Sequence, residues 1–477
     1  MSVSFVPGRA FLRARFPLSA LTVACGFCTV TPLHAEEPVH ELPPTVITAI
    51  QQRSPLTVVA DPKDPRQPVP ASDAADYLKT IPGFSAIRSG GSNSDPVLRG
   101  FFGSRLLLLT DGGQMLGACP GRMDAPSSYI APETYDLLTV TKGPQTVIWG
   151  PGASAGVVRF EREPERFGEL GARLHASVLA GSNGRFDRLL DGAVGVEQGY
   201  LRVMANRSHS DDYDNGDGDT IASRWNKWNT DVALGWTPDA DSLIELSAGR
   251  GDGEARYGGR GMDGTQFQRE SLGLRIERSS LGGVLDKLEA KVYYNYADHI
   301  MDNFRLRVPN PTSMMAMPMA SQVDRRTLGA RLAATWKWDD VELITGIDAQ
   351  RSEHRARRST YSMMTGYTDA DRFPWSKDAL MHNYGAFAEA TWRLAERDRL
   401  IAGTRLDRAS ARDYRQNFRG MMGMTRPNPT AGETRAETLP SGFVRYEHDL
   451  SGSPTTLYAG LGHVQRFPDY WSCFPPG

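Results

Sequence analysis

The feature that most constrains the fold of this chain is an alternation of apolar and other residues with a period of two, which begins near Gly168. Residues 170–178, 328–336 and 384–392 all show this alternation. Successive side chains of a β-strand point to opposite faces, so each run predicts a strand with one apolar face. The runs are about ten residues long and often have Trp or Tyr near one end, as strands that cross an outer membrane do.

The connections between these runs are of two kinds. Residues 238–241 and 395–398 are typical of tight turns, whereas residues 208–223 and 301–325 are long polar loops. Short and long connections together indicate a barrel with tight periplasmic turns and large outer loops. A soluble β-sandwich is the alternative, but it rarely combines strands and loops of these lengths. We therefore predict a mainly β fold that contains a transmembrane β-barrel.

The composition is compatible with such a barrel, although 40% hydrophobic and 23% charged residues with a mean hydropathy of −0.41 also suit a soluble protein. Polar residues that face the lumen of a barrel dilute those that face lipid. After residue 35, no apolar run reaches the roughly 18 residues of a spanning helix. The net charge of −2 argues against a nucleic-acid partner. No catalytic or cofactor-binding motif is present, so we expect a binding and transport protein without an organic cofactor, not an enzyme.

The N-terminus has the layout of a secretory signal peptide over residues 1–35. Three arginines precede a mostly apolar stretch, residues 16–30, and a small-residue cleavage site follows it. That stretch is too short for a spanning helix. A lipoprotein site at Cys25 is the weaker alternative. We expect the chain to be exported.

Two further segments precede the barrel. Residues 36–70 are rich in proline and predict an extended linker. Residues 44–49 form a β-prone hexapeptide within it, which is suited to pairing with the edge of another protein's sheet. A disordered tail is the alternative. Residues 71–165 predict a compact α/β segment with a short helix capped by Ser72 or Asp73, and with buried strands at 106–109, 137–141 and 157–160.

Four stretches of the α/β segment stand in an order that is similar to the plug domain of TonB-dependent receptors: residues 74–84, 98–101, 109–112 and 142–150. The resemblance implies a 22-stranded barrel in the outer membrane of a Gram-negative bacterium, with the plug inside its lumen. It implies that TonB, with its inner-membrane energising complex, and outer-membrane lipid are the partners. The segment bound by TonB, the TonB box, would be Thr45, Val46, Ile47, Thr48 and Ala49. The expected domains are the signal peptide (1–35), the TonB box and linker (36–70), the plug (71–165) and the barrel (166–477).

Two sulfur-containing motifs point to the transported substrate. Cys119 and Met123 lie on the plug loop after the Asp111 turn, and His299 and Met301 lie at the end of a predicted strand, on its lumen side. Thiolate, thioether and imidazole donors together select copper, particularly Cu(I). These motifs resemble the Cys-x-x-x-Met and His-x-Met pair of the TonB-dependent copper receptors. The resemblance implies import of copper, bound by these four residues between the plug loop and the barrel wall.

Other interpretations of the same residues stay open. Most receptors of this kind import ferric siderophores, so a ferric-siderophore receptor is the alternative function. Cys119 could be a buried apolar side chain or could form a disulfide with Cys473, and His299 and Met301 could simply line the lumen. Four methionines in one polar loop are either auxiliary sites that capture copper or chance members of a flexible loop: Met314, Met315, Met317 and Met319.

The barrel segment is shorter than a 22-stranded barrel requires. At roughly 25 residues for each strand and its connection, residues 166–477 encode about a dozen strands, against the 22 of plugged transporters. An open barrel leaves unpaired strand edges in the bilayer. We therefore expect a truncated, frameshifted or partial product, in which Cys473 has no role. A receptor fragment without transport activity is the alternative to a copper importer.

Overall fold

The computed structural model describes residues 51–64, 71–419 and 425–474. The predicted signal peptide and the predicted TonB box, Thr45 to Ala49, lie outside the described residues. So do three further methionines of the sequence, Met421, Met422 and Met424.

The N-terminal part of the described chain is a small α/β unit, the plug, built on a six-stranded sheet in the order β1-β2-β7-β8-β5-β6. The β5 and β8 strands are parallel, and the other neighbours are antiparallel. The elements are β1 (Gln51–Ser54), β2 (Thr57–Ala60), α1 (Ala74–Leu78), β3 (Phe84–Ile87), β4 (Asp95–Leu98), β5 (Leu106–Thr110), β6 (Gly113–Gln114), β7 (Leu137–Lys142) and β8 (Gly156–Glu161). Short 3-10 helices span Gly103–Arg105, Pro126–Tyr129 and Pro132–Thr134.

The plug has its own apolar core beneath the helix α1. Asp73 caps this helix by accepting a hydrogen bond from the Asp76 N–H at 2.8 Å, which satisfies a donor that the first turn leaves free. Leu78 of the helix packs with Leu138, Val158 and other buried side chains of the sheet. The predicted short helix and the three predicted buried strands are therefore present.

The rest of the described chain forms one antiparallel sheet of thirteen strands, in which each strand pairs with its neighbours in sequence. The strand bounds are β9 (Gly171–Ala180), β10 (Phe186–Val196), β11 (Gly199–Ser210), β12 (Tyr213–Asp214), β13 (Thr220–Ile221), β14 (Trp225–Trp236), β15 (Ser242–Ala255), β16 (Asp263–Ser279), β17 (Leu285–Asp302), β18 (Ala320–Lys337), β19 (Val341–Arg358), β20 (Thr360–Ser362), β21 (Gly366–Thr368), β22 (Ser376–Ala395), β23 (Asp398–Asp413), β24 (Asn417–Arg419), β25 (Thr425–Pro427), β26 (Thr434–Asp449) and β27 (Thr456–His463). The helix α2 (Tyr470–Cys473) follows, and three small hairpins within loops, β12–β13, β20–β21 and β24–β25, stand apart from the large sheet.

The large sheet is the predicted barrel wall, and it remains open between β9 and β27 in the described residues. Apolar residues of the predicted runs, such as Leu174, Leu328 and Tyr384, are exposed on its outer face. Its inner face is polar and contacts the plug at many strands. Asn295 of β17 donates to the carbonyl oxygen of Gln114 at 3.0 Å. The mainly β fold with a plug and a barrel wall is thus confirmed.

Two details of the strands differ from the prediction. The run at residues 328–336 is only the second half of β18, because residues 320–327 are mostly polar and show no alternation of apolar and polar residues. The loop predicted at residues 301–325 is therefore shorter and spans residues 303–319. None of the helices in the described part of the chain has the length and apolar character needed to span a bilayer.

Candidate metal centre

The strand β17 places His299 and Met301 on the inner face of the wall. They share this face with Asn295 and Ala297, and all four side chains are buried, whereas Val292 of the opposite face is exposed. The two residues lie at the end of β17 that leads into the long loop 303–319. The period of two puts both side chains against the plug.

The ring of His299 has a fixed orientation. Its Nδ1 lies 2.9 Å from the carbonyl oxygen of Gln266, so Nδ1–H donates to this oxygen and Nε2 keeps its lone pair. Nε2 is buried and has no hydrogen-bond partner among the described residues. The ring also stacks on Phe267, with centroids 4.6 Å apart. A histidine that donates one N–H to a carbonyl and presents the other nitrogen is arranged as a metal ligand is.

A shift in strand register lies beside this histidine. The pairing of β16 with β17 slips by one residue between Gly264 and Gln266, and such a bulge re-aims the groups around it. Gly264 has no room for a side chain, because an added Cβ would lie 2.1 Å from Phe267 Cζ and 3.1 Å from His299 Cε1. The bulge therefore fixes both the carbonyl of Gln266 and the ring of Phe267.

Residues 117–124 of the plug form a tight loop, which we call the cysteine loop. The Arg122 N–H donates to the Cys119 carbonyl at 2.9 Å, and Arg122 adopts a left-handed conformation with φ of 53°. The Arg122 guanidinium also donates to Asp95 at 2.8 Å. This turn brings Met123 back beside Cys119, where the Tyr257 hydroxyl donates to the Met123 carbonyl at 2.8 Å.

A buried carboxylate, Asp124, closes the cysteine loop. It accepts hydrogen bonds from the N–H groups of Ala118 and Cys119 at 2.7 and 2.8 Å, and from the Tyr129 hydroxyl at 2.8 Å. Burial, followed by the nearby charge of Asp124, raises the pKa of the Cys119 thiol to about 11. A metal ion that binds this thiol as thiolate at neutral pH must therefore displace its proton.

The wall and the cysteine loop meet at their sulfur atoms. Cys119 Sγ lies 3.8 Å from Met301 Sδ. Cys119, Met123 and Met301 are 4%, 7% and 9% exposed and belong to one buried cluster, which also contains Phe267, the ring on which His299 stacks. The structure thus brings the four predicted ligand residues into one region that water barely reaches.

The chemistry of this region is that of soft donors. The described residues hold no group of three or more His, Cys, Asp and Glu side chains that could bind a metal ion. One thiol, two thioethers and one imidazole suit Cu(I) and are poor ligands for magnesium, calcium or manganese.

Several residues of this region were not predicted from the sequence. Asp124, Phe267 and His354 shape it, and Met115 and Met262 add thioethers to the same cluster. The signals for Asp124 and Met115 were present, since both lie within five residues of Cys119. Nothing in the sequence connects His354 with the cysteine loop, because 236 residues separate it from Ala118.

The remaining candidate residues lie elsewhere. In the loop 303–319, Met314, Met317 and Met319 are exposed. Met315 packs against Gly261, where an added Cβ would lie 2.1 Å from its Cε. Cys473 is buried in a separate cluster with Phe474, and both cysteines of the described residues are free. The disulfide that the sequence left open is not present.

Comparison with known families assigns the class of the protein. A family model described as TonB-dependent Receptor Plug Domain matches residues 50–157, and one described as TonB dependent receptor-like, beta-barrel matches residues 205–476. The chain belongs to the TonB-dependent receptor family, whose members are outer-membrane β-barrels.

Individual relatives differ in their substrates. The solved structure of the copper transporter OprC is 72% identical, with a TM-score of 0.87, and the match covers 90% of this chain and 66% of that one. A hemin receptor of Yersinia pestis is 29% identical over 25% of this chain and 16% of its own length. The ferric enterobactin receptor PirA of Pseudomonas aeruginosa is 26% identical over 42% of this chain and 30% of its own. The chain therefore spans less than two thirds of each of these relatives.

Proposed function

We propose that this chain is part of a TonB-dependent importer of copper, which binds Cu(I) between the plug and the barrel wall. The main observation that supports the proposal is the contact between Cys119 and Met301. Two sulfur ligands at about 2.3 Å from one tetrahedral ion lie about 3.8 Å from each other. The observed separation of Sγ and Sδ is 3.8 Å, so these sulfur atoms need little movement to bind one ion.

The proposed ligands are Cys119, Met123, His299 and Met301. His299 would bind through Nε2, the buried nitrogen without a partner among the described residues. A buried polar atom without a partner costs free energy, and a metal ion would remove that cost. The 72% identity to a copper transporter supports the same assignment.

A ferric siderophore is the competing substrate, as some relatives bind iron or heme compounds. The closed geometry around Cys119 argues against it at this position. Cys119, His299 and Met301 are at most 9% exposed, so an organic chelate would have to displace the side chains packed around them, whereas a dehydrated ion is small enough to need little movement. Hard oxygen donors, which ferric iron prefers, are also absent from the four proposed ligands.

Two further parts of the proposal concern how copper arrives and what drives its import. Exposed thioethers of Met314, Met317 and Met319, with Met315 beside Gly261, would capture Cu(I) before it reaches the buried site. TonB, with its inner-membrane energising complex, would bind the TonB box at Thr45 to Ala49 and supply the energy. The signal peptide at residues 1–35 would direct export in a Gram-negative bacterium.

The test is metal content by mass spectrometry on the purified chain after exposure to Cu(I), Zn²⁺ or a ferric catecholate. We expect about one copper per chain and much less zinc or iron. Cys119→Ser should lose the copper. Cys473→Ser is the matched control, because this second free and buried cysteine lies in a different cluster, and it should retain copper. Equal copper in both variants would contradict the proposal.

A further inference from the structure

His354 connects the barrel wall to the backbone of the cysteine loop. It lies on β19, and its side chain is 2% exposed. Its Nε2 is 2.7 Å from the carbonyl oxygen of Ala118, the residue immediately before Cys119. Since a carbonyl oxygen can only accept, Nε2–H is the donor.

The other side of the His354 ring is held as well. Nδ1 lies 2.9 Å from the hydroxyl of Tyr470 and 3.2 Å from a carboxylate oxygen of Asp378. In the neutral ring, the Tyr470 hydroxyl donates to Nδ1. In the protonated ring, Nδ1–H donates to Asp378, and Nε2–H remains a donor in both cases. The bond to Ala118 therefore does not depend on the protonation state of the ring.

The backbone just before Cys119 is thus held from two directions. The Ala118 N–H donates to Asp124 of the plug at 2.7 Å, and the Ala118 carbonyl accepts from His354 of the wall at 2.7 Å. Meanwhile, the Cys119 thiol faces Met301 on a different wall strand, β17. The cysteine loop is consequently held between β17 and β19.

His354 differs from His299 in what it can do. Both ring nitrogens of His354 already have partners, whereas Nε2 of His299 has none among the described residues. His354 is therefore not placed as a ligand. Its contact is with the backbone that carries a proposed ligand, as in metal sites where outer residues orient the inner ones.

We infer that His354 is a positioning residue for copper binding, which holds the Ala118 carbonyl and so places the Cys119 sulfur opposite Met301. The inference rests on the proposed function. The site would then depend on β19 in addition to the wall strands β16 and β17. A ligand displaced by a fraction of an ångström binds more weakly, so loss of the bond should lower affinity without removing a ligand.

The test compares variants of the full chain for Cu(I) affinity, measured anaerobically by competition with a chromophoric Cu(I) chelator. His354→Leu removes the donor, and His354→Gln supplies an amide N–H that can reach the same carbonyl. We expect His354→Leu to bind Cu(I) about tenfold more weakly, the worth of one hydrogen bond, and His354→Gln to restore most of the affinity. His382→Leu is the control, because this histidine stacks on Tyr384 instead.

Hydrogen exchange of the peptide that contains the cysteine loop gives a second readout. In the metal-free protein, the amides of Ala118 and Cys119 should exchange faster in His354→Leu than in the wild type or in His382→Leu. If His354→Leu kept the Cu(I) affinity and the amide exchange rates of the wild type, the inference would be overturned. It would also be overturned by a folded His354→Gln that binds Cu(I) about tenfold more weakly than the wild type, an outcome that can be read even if the leucine variant does not fold. A wild-type chain that binds no Cu(I) would instead contradict the proposed function.

Discussion

Cys119 Sγ and Met301 Sδ lie 3.8 Å apart, although 182 residues separate them in the sequence. One atom belongs to the plug and the other to the barrel wall. An ion bound to both would be held by two parts of the protein that share no local chain connection. Movement of the cysteine loop away from β17 would therefore separate the proposed ligands of the plug from those of the wall, which ties the proposed cargo to the position of the plug.

Replacement of Met301 by leucine tests the contribution of the wall. Met301→Leu nearly preserves volume, which cores tolerate well, but it removes a soft ligand. We expect Cu(I) affinity to fall at least about tenfold, while the thermal unfolding temperature changes little. Met204→Leu is the matched control, because Met204 is a buried methionine of β11 outside the cluster. Competition with a Cu(I) chelator measures the affinity of both variants. Unchanged affinity in Met301→Leu would exclude this thioether as a ligand.

Gly264 should be intolerant of a side chain. In Gly264→Ala, the new Cβ would lie 2.1 Å from Phe267 Cζ, so the Phe267 ring must move and His299 loses the surface on which it stacks. We expect weaker Cu(I) binding, measured by the same competition. Gly216→Ala serves as control, since an added Cβ there meets nothing within 4 Å. Equal affinities in the two variants would show that the bulge does not orient His299.

Asp124 should matter more for stability than its size suggests. Asp124→Ala leaves two backbone N–H groups and the Tyr129 hydroxyl without their acceptor. At about 1 kcal/mol or more for each buried group, the loss should be roughly 3 kcal/mol. Tyr129→Phe removes only one of these bonds and should cost about 1 kcal/mol. Denaturant unfolding, monitored by hydrogen exchange in the plug, measures the loss of stability in each variant. Similar losses in both variants would contradict the role given to Asp124.

The opposite end of the plug depends on ionic contacts with the wall. Asp136 accepts two hydrogen bonds from Arg202 of β11, at 2.7 and 2.8 Å, and pairs with Lys63, which also contacts Asp191 of β10 at 2.7 Å. Burial disfavours the charged carboxylate, but Arg202 and Lys63 outweigh this and lower the pKa of Asp136 to about 2.

Acid should therefore loosen this contact in a defined pH range. A carboxylate whose pKa is lowered by folding stabilises the folded state fully above its ordinary pKa, near 4, and this stabilisation is lost as the pH falls towards 2. We expect the thermal unfolding temperature of the wild type to fall over this range more than that of Asp136→Asn. Asp64→Asn, at an exposed carboxylate beside Lys63, should behave as the wild type. Parallel curves for the wild type and Asp136→Asn would contradict this assignment.

Much of the architecture follows from sequence patterns that report local structure. The strand β5 (Leu106–Thr110) and the cap at Asp73 were predictable, because a buried apolar run and a helix cap depend on neighbouring residues. The membrane half of β18 was predictable because lipid and lumen impose opposite chemistry on its two faces. Its outer half was not, since polar side chains on both faces there, such as Gln322 and Arg325, are buried in hydrogen bonds and ion pairs and the alternation disappears.

The candidate site likewise contains residues that could be predicted from the sequence and residues that could not. Cys119 and His299 were predictable, because each carries unusual chemistry within a short motif. The roles of His354 and Phe267 were not, because they depend on which strands the fold brings beside the cysteine loop. The bulge after Gly264 is also invisible in the sequence, since a one-residue slip in register leaves the pattern of β16 almost unchanged.

X-ray absorption at the copper edge, on wild-type chain loaded with Cu(I) and on Cys119→Ser, tests the proposed copper site most directly. We expect about one Cu(I) for each wild-type chain, with a coordination shell of mainly sulfur atoms at about 2.3 Å and one nitrogen. In Cys119→Ser, we expect this shell to be lost or to lose a sulfur atom. A wild-type chain without bound Cu(I), or the same sulfur shell in both proteins, would contradict a copper site between the plug and the wall.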